Sequence, residues 1–169
     1  MRLCLLSLLV AYALGCQTTV DLQYSELSAR ISNGDPVDVT DLRSTFLQRS
    51  DLSKQMERLT ELEQQAMQLV ADEPLKLGAI GTAILDTYYG SLTGHYVLSR
   101  FYEYLDRAEA AAPHIEWVDH IRVDMADHGD GSQMKPYPAI TSVEAQMYVI
   151  SLGLSPVGSI YQTSEEIPF

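Results

Sequence analysis

Residues 94–132 constrain the fold most strongly, because they carry the pattern of two helices joined by one tight turn. The second helix is predicted to begin near Arg107, and its apolar residues recur at spacings of three and four. Asp106 lies between the two helices, and aspartate tolerates the left-handed conformation that a tight turn can require. The second helix is predicted to end at His128 and Gly129, where the glycine suits a left-handed cap. A chain organised around such a pair is predicted to be mainly α.

The same stretch resembles the helix–turn–helix pattern of tetratricopeptide repeats, which is about 34 residues long. Tyr102 occupies the aromatic position of the first helix, and Ser99 and Ala111 occupy positions where small residues let two helices approach closely. The seam between the helices is predicted to be filled by four side chains: Leu98, Tyr102, Ile115 and Val118. The match covers one repeat, so the expected architecture is one of tetratricopeptide-like helical hairpins.

Helical patterns also precede this pair, and the longest of them covers residues 51–70. Its glutamates are predicted to form a face exposed to solvent: Glu57, Glu61 and Glu63. These helices are expected to stack onto the pair in one compact domain, since 169 residues is an ordinary length for a single domain.

A small cap is predicted to follow the helices, at about residues 133–169. Thr141 and Glu144 form a T-x-x-E capping box, which opens a helix that ends near Leu152. Two short extended segments flank this helix, at residues 137–140 and 156–161. The predicted fold is therefore mainly α, with helical hairpins followed by a strand–helix–strand cap.

The first 16 residues, MRLCLLSLLVAYALGC, have the pattern of a bacterial lipoprotein leader. Arg2 supplies a positive charge, and the apolar stretch after it is too short for a comfortable membrane span. Residues 1–15 are therefore predicted to be a signal peptide, and Cys16 is predicted to be the lipid attachment site that opens a tether at residues 16–21. The alternative is a plain signal peptide that is cleaved without lipid attachment.

The expected location is the bacterial envelope. Gln17, and not aspartate, follows the cysteine, and for a Gram-negative source the sorting rule of such lipoproteins then implies the outer membrane, with the domain at residues 22–169 facing the periplasm. The chain has 23 acidic residues against 11 basic ones, a balance that argues against nucleic acid as a partner because phosphates require Lys and Arg. The predicted partners are the membrane, through the lipid, and a protein or a peptide.

Two blocks of sequence, together with His95 and His114, resemble an uncharacterised family of bacterial secreted and lipoprotein-type chains that is catalogued as a domain of unknown function. The blocks are DVTDLRSTF at residues 38–46 and HGDGSQMKPYPAITSVEAQMYVISLGL at residues 128–154. Members of this family have a helical front, a GDG[KS] turn, an extended segment and an acidic helix that ends in leucine-glycine. The resemblance implies location and architecture, and it implies no reaction.

His120, Asp124 and His128 are spaced at i, i+4 and i+8, which places them on one face of the predicted helix. Such side chains could hold zinc or another divalent ion, and the alternative function is accordingly a small metal-dependent hydrolase. The competing interpretation is an exposed polar face whose His128 complements the helix dipole. The favoured prediction assigns no catalytic residue, no metal and no cofactor.

His95, His114 and Asp130 are candidate binding or structural residues. The two histidines come to the same level if the helices pair as predicted, so each is expected to hydrogen-bond across the seam, although a buried pair could also serve acid–base chemistry. Asp130 is expected to bind backbone donors in the GDGS turn, which could alternatively hold an anion. The predicted function is a non-enzymatic, membrane-anchored scaffold that binds a protein or a peptide.

Overall fold

The computed structural model describes residues 19–156 and shows a helical fold in which no strand occurs within those residues, so the prediction of a mainly α chain is confirmed. Helix α1 covers residues 19–32 of the described part. The other α-helices are α2 at Val39–Leu47, α3 at Leu52–Leu69, α4 at Leu77–Thr87, α5 at Leu92–Tyr104, α6 at Ala108–His128 and α7 at Ser142–Ser151. A short 3-10 helix, Pro74–Lys76, leads directly into α4. Helix α5 is central, because it packs against α3, α4, α6 and α7.

Helices α5 and α6 confirm the predicted helix pair. The turn residue Asp106 has a φ of 56°, in the left-handed region, as predicted. The close approach of the two helices is also present, since the two small residues and two of the predicted seam residues are buried: Ser99, Ala111, Leu98 and Val118. The prediction for Ile115 is wrong, because its side chain is 41% exposed. The neighbouring His114 faces α5 instead and stacks on Tyr102.

The left-handed cap predicted at Gly129 is wrong, since its φ of −144° and ψ of 158° are those of extended backbone. Glycine is nevertheless required here for a different reason. A Cβ atom at this position would lie 2.4 Å from the carbonyl oxygen of Pro136 and 2.6 Å from the Cα atom of Tyr137. The chain that leaves α6 therefore passes directly against a returning backbone segment, which only a residue without a side chain allows.

The strand–helix–strand cap predicted after α6 is not supported, because the described part of the chain holds only its helix and the first predicted strand is absent there. Residues 137–140 have no regular structure, with an Ala139 N–H to Tyr137 carbonyl hydrogen bond of 2.8 Å inside the segment, and they pair with no strand in the described part. Pro136 and Pro138 lack a backbone N–H, so this segment cannot offer the regular row of donors that a sheet needs. The predicted helix start is confirmed, since the Thr141 hydroxyl accepts a hydrogen bond of 2.9 Å from the Glu144 N–H at the beginning of α7.

Several predictions concern residues outside the described range. The second predicted strand starts at the last described residue, and residues 157–161 of it lie beyond that range. The predicted signal peptide and the lipid attachment site at Cys16 also lie outside it. Within the part of the chain that the structure covers, no helix is both long enough and apolar enough to cross a membrane.

The solvent face predicted for α3 is wrong at one position. Glu57 and Glu61 are exposed as expected, whereas Glu63 is only 1% exposed. The buried residues of α3 are Leu59, Glu63 and Ala66, at spacings of four and three, so Glu63 belongs to the stripe that faces the other helices. A carboxyl group is therefore held inside the protein, where it needs partners.

Candidate functional site

Three carboxyl groups and one guanidinium group meet inside the protein, and we call these residues the carboxyl cluster. Arg43 comes from α2, Glu63 from α3, Asp124 from α6 and Glu144 from α7. All four side chains are buried or nearly so. Ionisable groups are rarely buried unless they are paired, so their hydrogen bonds determine what the cluster can do.

Arg43 holds the centre of the cluster through a two-pronged contact with Glu144. Its Nη1 lies 2.9 Å from Oε1 and its Nη2 lies 3.2 Å from Oε2 of that carboxylate. The Nε atom lies 3.5 Å from Oδ2 of Asp124, and Nη2 also donates to the Pro138 carbonyl oxygen at 2.6 Å. Burial acts to lower the pKa of Arg43, but the charge and the hydrogen bonds of Glu144 outweigh it and raise the pKa, so the guanidinium stays charged.

Glu144 joins three helices. It lies in the first turn of α7, and its carboxylate accepts hydrogen bonds from the N–H of Ile140 at 2.7 Å and from the N–H of Leu92 at 3.4 Å. Leu92 is the first residue of α5, where backbone N–H groups have no partner within the helix. Glu144 therefore caps its own helix and the start of α5 while it also binds Arg43 from α2.

Glu63 connects the same two helix starts through hydroxyl groups. Its Oε1 accepts a hydrogen bond of 3.1 Å from Ser91, and its Oε2 accepts one from Thr141. Both hydroxyls are caps, because Ser91 accepts the N–H of Gly94 in α5 and Thr141 accepts the N–H of Glu144 in α7. One side chain of α3 thus supports the N-terminal caps of two other helices.

The second cluster of ionisable groups is the histidine pair, which the sequence identified. His95 Nε2 lies 2.9 Å from the carbonyl oxygen of Tyr89, so this nitrogen carries the proton. His95 Nδ1 is then an acceptor, and His114 Nδ1 donates to it at 3.0 Å across the α5–α6 seam. Trp117 stacks on His95, and Tyr102 stacks on His114. The two histidines are therefore held in place by hydrogen bonds and by the aromatic rings that stack on them.

Burial, together with the neighbouring His114, lowers the pKa of His95 to about 3, and burial also lowers the pKa of His114. At His95 the native state therefore binds fewer protons than the unfolded chain between about pH 6.5 and pH 3, and the contribution of His95 to stability falls as the pH decreases through that range. We expect His95→Gln to reduce this dependence by about 1.4 kcal/mol per pH unit. Urea denaturation at several pH values in that range measures the slope, with His120→Gln at an exposed histidine as the control. Equal slopes in wild type and His95→Gln would contradict this assignment.

The face proposed for a metal does not assemble into a site. Asp124 turns inward, where it accepts a hydrogen bond from Thr40 and faces Arg43. His128 uses Nδ1 to donate to the Asp124 carbonyl oxygen at 2.8 Å, and His120 is exposed. Among residues 19–156, no three His, Cys, Asp or Glu side chains converge in a way that could hold a metal ion.

Asp130 has the turn role expected of it. Its Oδ1 accepts the Ser132 N–H at 2.9 Å, and its own N–H donates to the Lys135 carbonyl oxygen at 2.9 Å. Hydrogen bonds from the side chain and the backbone of Ser132 hold the pKa of Asp130 below its ordinary value. Gly131 has a φ of 76°, which places the bend at the glycine between the two residues. The carboxylate at the mouth of this turn makes it a poor site for an anion.

A surface cleft lies where the C-terminal ends of α3 and α5 meet the 3-10 helix. It has a volume of about 290 Å³, and seven residues line it: Val70, Ala71, Pro74, Leu77, Arg100, Glu103 and Tyr104. Arg100 and Glu103 form an ion pair of 2.8 Å, and Tyr104 is 58% exposed. Leu75, the middle residue of the 3-10 helix, is 62% exposed. Two large apolar side chains are therefore presented to solvent in the region of this cleft.

Sequence reasoning missed the carboxyl cluster and this cleft. Arg43 lies between Val39 and Phe46, at the spacing of a buried helix face, and this position was the available indication that its charge is internal. No comparable indication exists for the cleft, because its walls come from segments that are distant in sequence.

No family model matches this sequence, and neither a curated protein nor a solved structure matches it. The resemblance of residues 38–46 and 128–154 to a lipoprotein-type family therefore stays a prediction. Function has to be inferred from the fold, the two internal clusters and the surface cleft.

Proposed function

We propose that this chain is a membrane-anchored lipoprotein of a bacterial envelope, attached through Cys16 and facing the periplasm from the outer membrane. Its helical domain is a non-enzymatic scaffold that binds a segment of another protein. The α5–α6 hairpin is the tetratricopeptide-like element of this scaffold, and stacked helix pairs of that kind commonly offer surfaces to peptides.

The cleft beside α5 is the observation that carries this proposal. Large apolar side chains such as Leu75 and Tyr104 favour burial against a partner, and tyrosine is enriched at protein interfaces. The volume of about 290 Å³ is at the lower end of small-molecule pockets, and it suits one or two side chains inserted by a partner. The Arg100–Glu103 ion pair at the edge offers both charges to polar groups that flank the inserted residues.

The internal clusters support a scaffold rather than a reaction centre. Glu63, Glu144 and Arg43 are buried, and their donors and acceptors are used to connect helix ends. His95 is buried as well, with both ring nitrogens in hydrogen bonds. The groups with the chemistry for acid–base work therefore hold the fold together, while the surface offers a shape to bind.

Anchoring is tested by mass spectrometry of the N-terminal peptide and by membrane fractionation. We expect acylated Cys16 at the mature N-terminus, and we expect Cys16→Ser to move the protein out of the membrane fraction. A mature chain without acyl groups, or a Cys16→Ser variant that fractionates like the wild type, would rule out the lipid anchor.

Binding is tested by a photo-reactive amino acid placed at position 104 in the anchored protein in cells. We expect discrete covalent adducts from this position, and none from the control position 123, where Val123 is exposed on α6. Leu75→Ala, next to the lining residue Pro74, should reduce the adducts from position 104 about tenfold, since the loss of one large apolar contact with a partner is worth about 1.4 kcal/mol. Identical adducts from both positions, or no adduct from position 104, would refute the cleft as the binding surface.

A further inference from the structure

The charges of the carboxyl cluster cannot balance if all its acids are ionised. The cluster holds three carboxyl groups and one guanidinium, so full ionisation would leave an excess of negative charge in the interior. The guanidinium is already engaged by Glu144, by Asp124 and by the Pro138 carbonyl oxygen. Glu63 is bound by hydroxyl groups and not by Arg43, so its negative charge would be the uncompensated one.

The partners of Glu144 are all hydrogen-bond donors. Its oxygens accept from the Arg43 guanidinium and from the N–H groups of Leu92 and Ile140. All of these groups can only donate. A proton on Glu144 would therefore find no acceptor among these groups. It would displace one of the donors and break a contact that connects α2, α5 and α7.

The partners of Glu63 are different, because a hydroxyl group can both donate and accept. Ser91 and Thr141 each have a rotatable O–H and two lone pairs, of which one is used by a backbone N–H. A protonated Glu63 can thus donate to one of these oxygens after the hydroxyl rotates. Glu63 is the carboxyl group of the cluster that can carry a proton without losing its connections.

We propose that Glu63 is a proton-binding site that clamps α7 onto the rest of the fold when it is protonated and loosens this contact when it is ionised. Thr141 carries the coupling, since its hydroxyl binds Glu63 and also caps α7. An ionised Glu63 repels Glu144, which lies in the first turn of the same helix. We call this contact of Glu63 with Ser91 and Thr141 the clasp. It holds α3, α5 and α7 together more strongly when Glu63 carries a proton.

Four other segments contribute ionisable groups to the cluster and its surroundings: Arg43 on α2, Tyr88 before α5, Asp124 on α6 and Glu144 on α7. Helix α5 contributes the hydroxyls of Ser91 and Thr93 beside Glu63. Glu144 is the charge that acts on Glu63, whereas Asp124 and Tyr88 interact with Arg43. Burial raises the pKa of Tyr88 well above its ordinary value, so the phenol stays neutral.

The direction of the pH effect follows from Glu63. Burial, followed by the Glu144 charge, raises its pKa from 4.5 to about 7. At Glu63 the native state therefore binds more protons than the unfolded chain between about pH 4.5 and pH 7. The stabilisation is fully present below about pH 4.5 and is lost as the pH rises through about 7.

Hydrogen exchange of the α7 amides in the full chain, between about pH 5 and pH 8, tests the clasp. Relative to Glu63→Gln, and after correction for the intrinsic exchange rate, protection in the wild type should fall about tenfold per pH unit up to about pH 7 and then level off. The opposite contribution of His95 is common to both proteins and cancels in this comparison. Glu63→Gln cannot ionise, so its α7 amides should lose this dependence. Glu61→Gln, at an exposed glutamate on the same helix, is the matched control and should retain it.

Carbon-13 NMR of the glutamate carboxyl groups gives an independent readout. One resonance should titrate near pH 7 in the wild type and in Glu61→Gln, and it should be missing from Glu63→Gln. If Glu63→Gln does not fold, the titrations of wild type and Glu61→Gln decide. The proposal is overturned if no glutamate titrates near neutral pH, or if α7 of Glu63→Gln keeps the pH dependence of the wild type.

Discussion

Arg43→Met is expected to lower the free energy of unfolding by about 3–5 kcal/mol, which is the usual cost of removing one partner from a buried ion pair. Methionine fills similar volume, so the loss comes mainly from charge. Glu144 would lose the guanidinium that binds both of its oxygens, Asp124 would lose its cation, and the Pro138 carbonyl oxygen would lose a donor. Urea denaturation at about pH 7.5 measures the change as a lower midpoint with an unchanged slope.

A surface pair provides the matched control. Arg100 is bonded to Glu103 at 2.8 Å, but both side chains are substantially exposed, so Arg100→Met should change the free energy of unfolding by less than about 1 kcal/mol. If the loss in Arg43→Met comes from charge, it should also depend on pH. Its deficit should shrink as the pH is lowered, because the unpaired carboxylates can then take up protons. A deficit that is the same at pH 5 and pH 7.5 would point to packing instead.

The parts of the fold that local chemistry dictates were predictable. The αL turn at Asp106 and the Thr141 cap of α7 each depend on a side chain and backbone within a few residues. The seam between α5 and α6 followed from helical spacing, apart from Ile115. At that position His114, and not Ile115, faces α5, because its ring stacks on the ring of Tyr102.

The candidate site was not predictable from such local rules. Arg43 and Glu144 are 101 residues apart, and Glu63 and Thr141 are 78 residues apart. Charged residues are assigned to the surface by default, because burial of a single charge costs several kcal/mol. Glu63 could be buried only because two hydroxyl caps from other helices reach it. The sequence of α3 alone gives no indication that hydroxyl groups from other helices lie beside Glu63.

Phe46→Ala is expected to be about as damaging as Arg43→Met, with a loss of about 3–5 kcal/mol, but by a different mechanism. Phe46 is fully buried on α2, and its ring stacks on Tyr88 with centroids 4.1 Å apart. The ring of Tyr24 also packs against the ring of Phe46, with centroids 5.7 Å apart. Truncation leaves a cavity between three elements that cannot close without moving α2, and α2 also carries Arg43.

The pH dependence separates the two mechanisms. The loss in Phe46→Ala should be nearly constant between about pH 5 and pH 7.5, because the deleted ring carries no charge and its neighbours stay neutral. Tyr88→Phe is the companion variant, since the Tyr88 hydroxyl is buried with no hydrogen-bond partner among the described residues, so its removal should be neutral or stabilising. If Phe46→Ala costs less than about 1 kcal/mol, or if Tyr88→Phe is as destabilising as Phe46→Ala, the aromatic stack is not the element that fixes α2. The orientation of Arg43 would then have to come from its ion pairs alone.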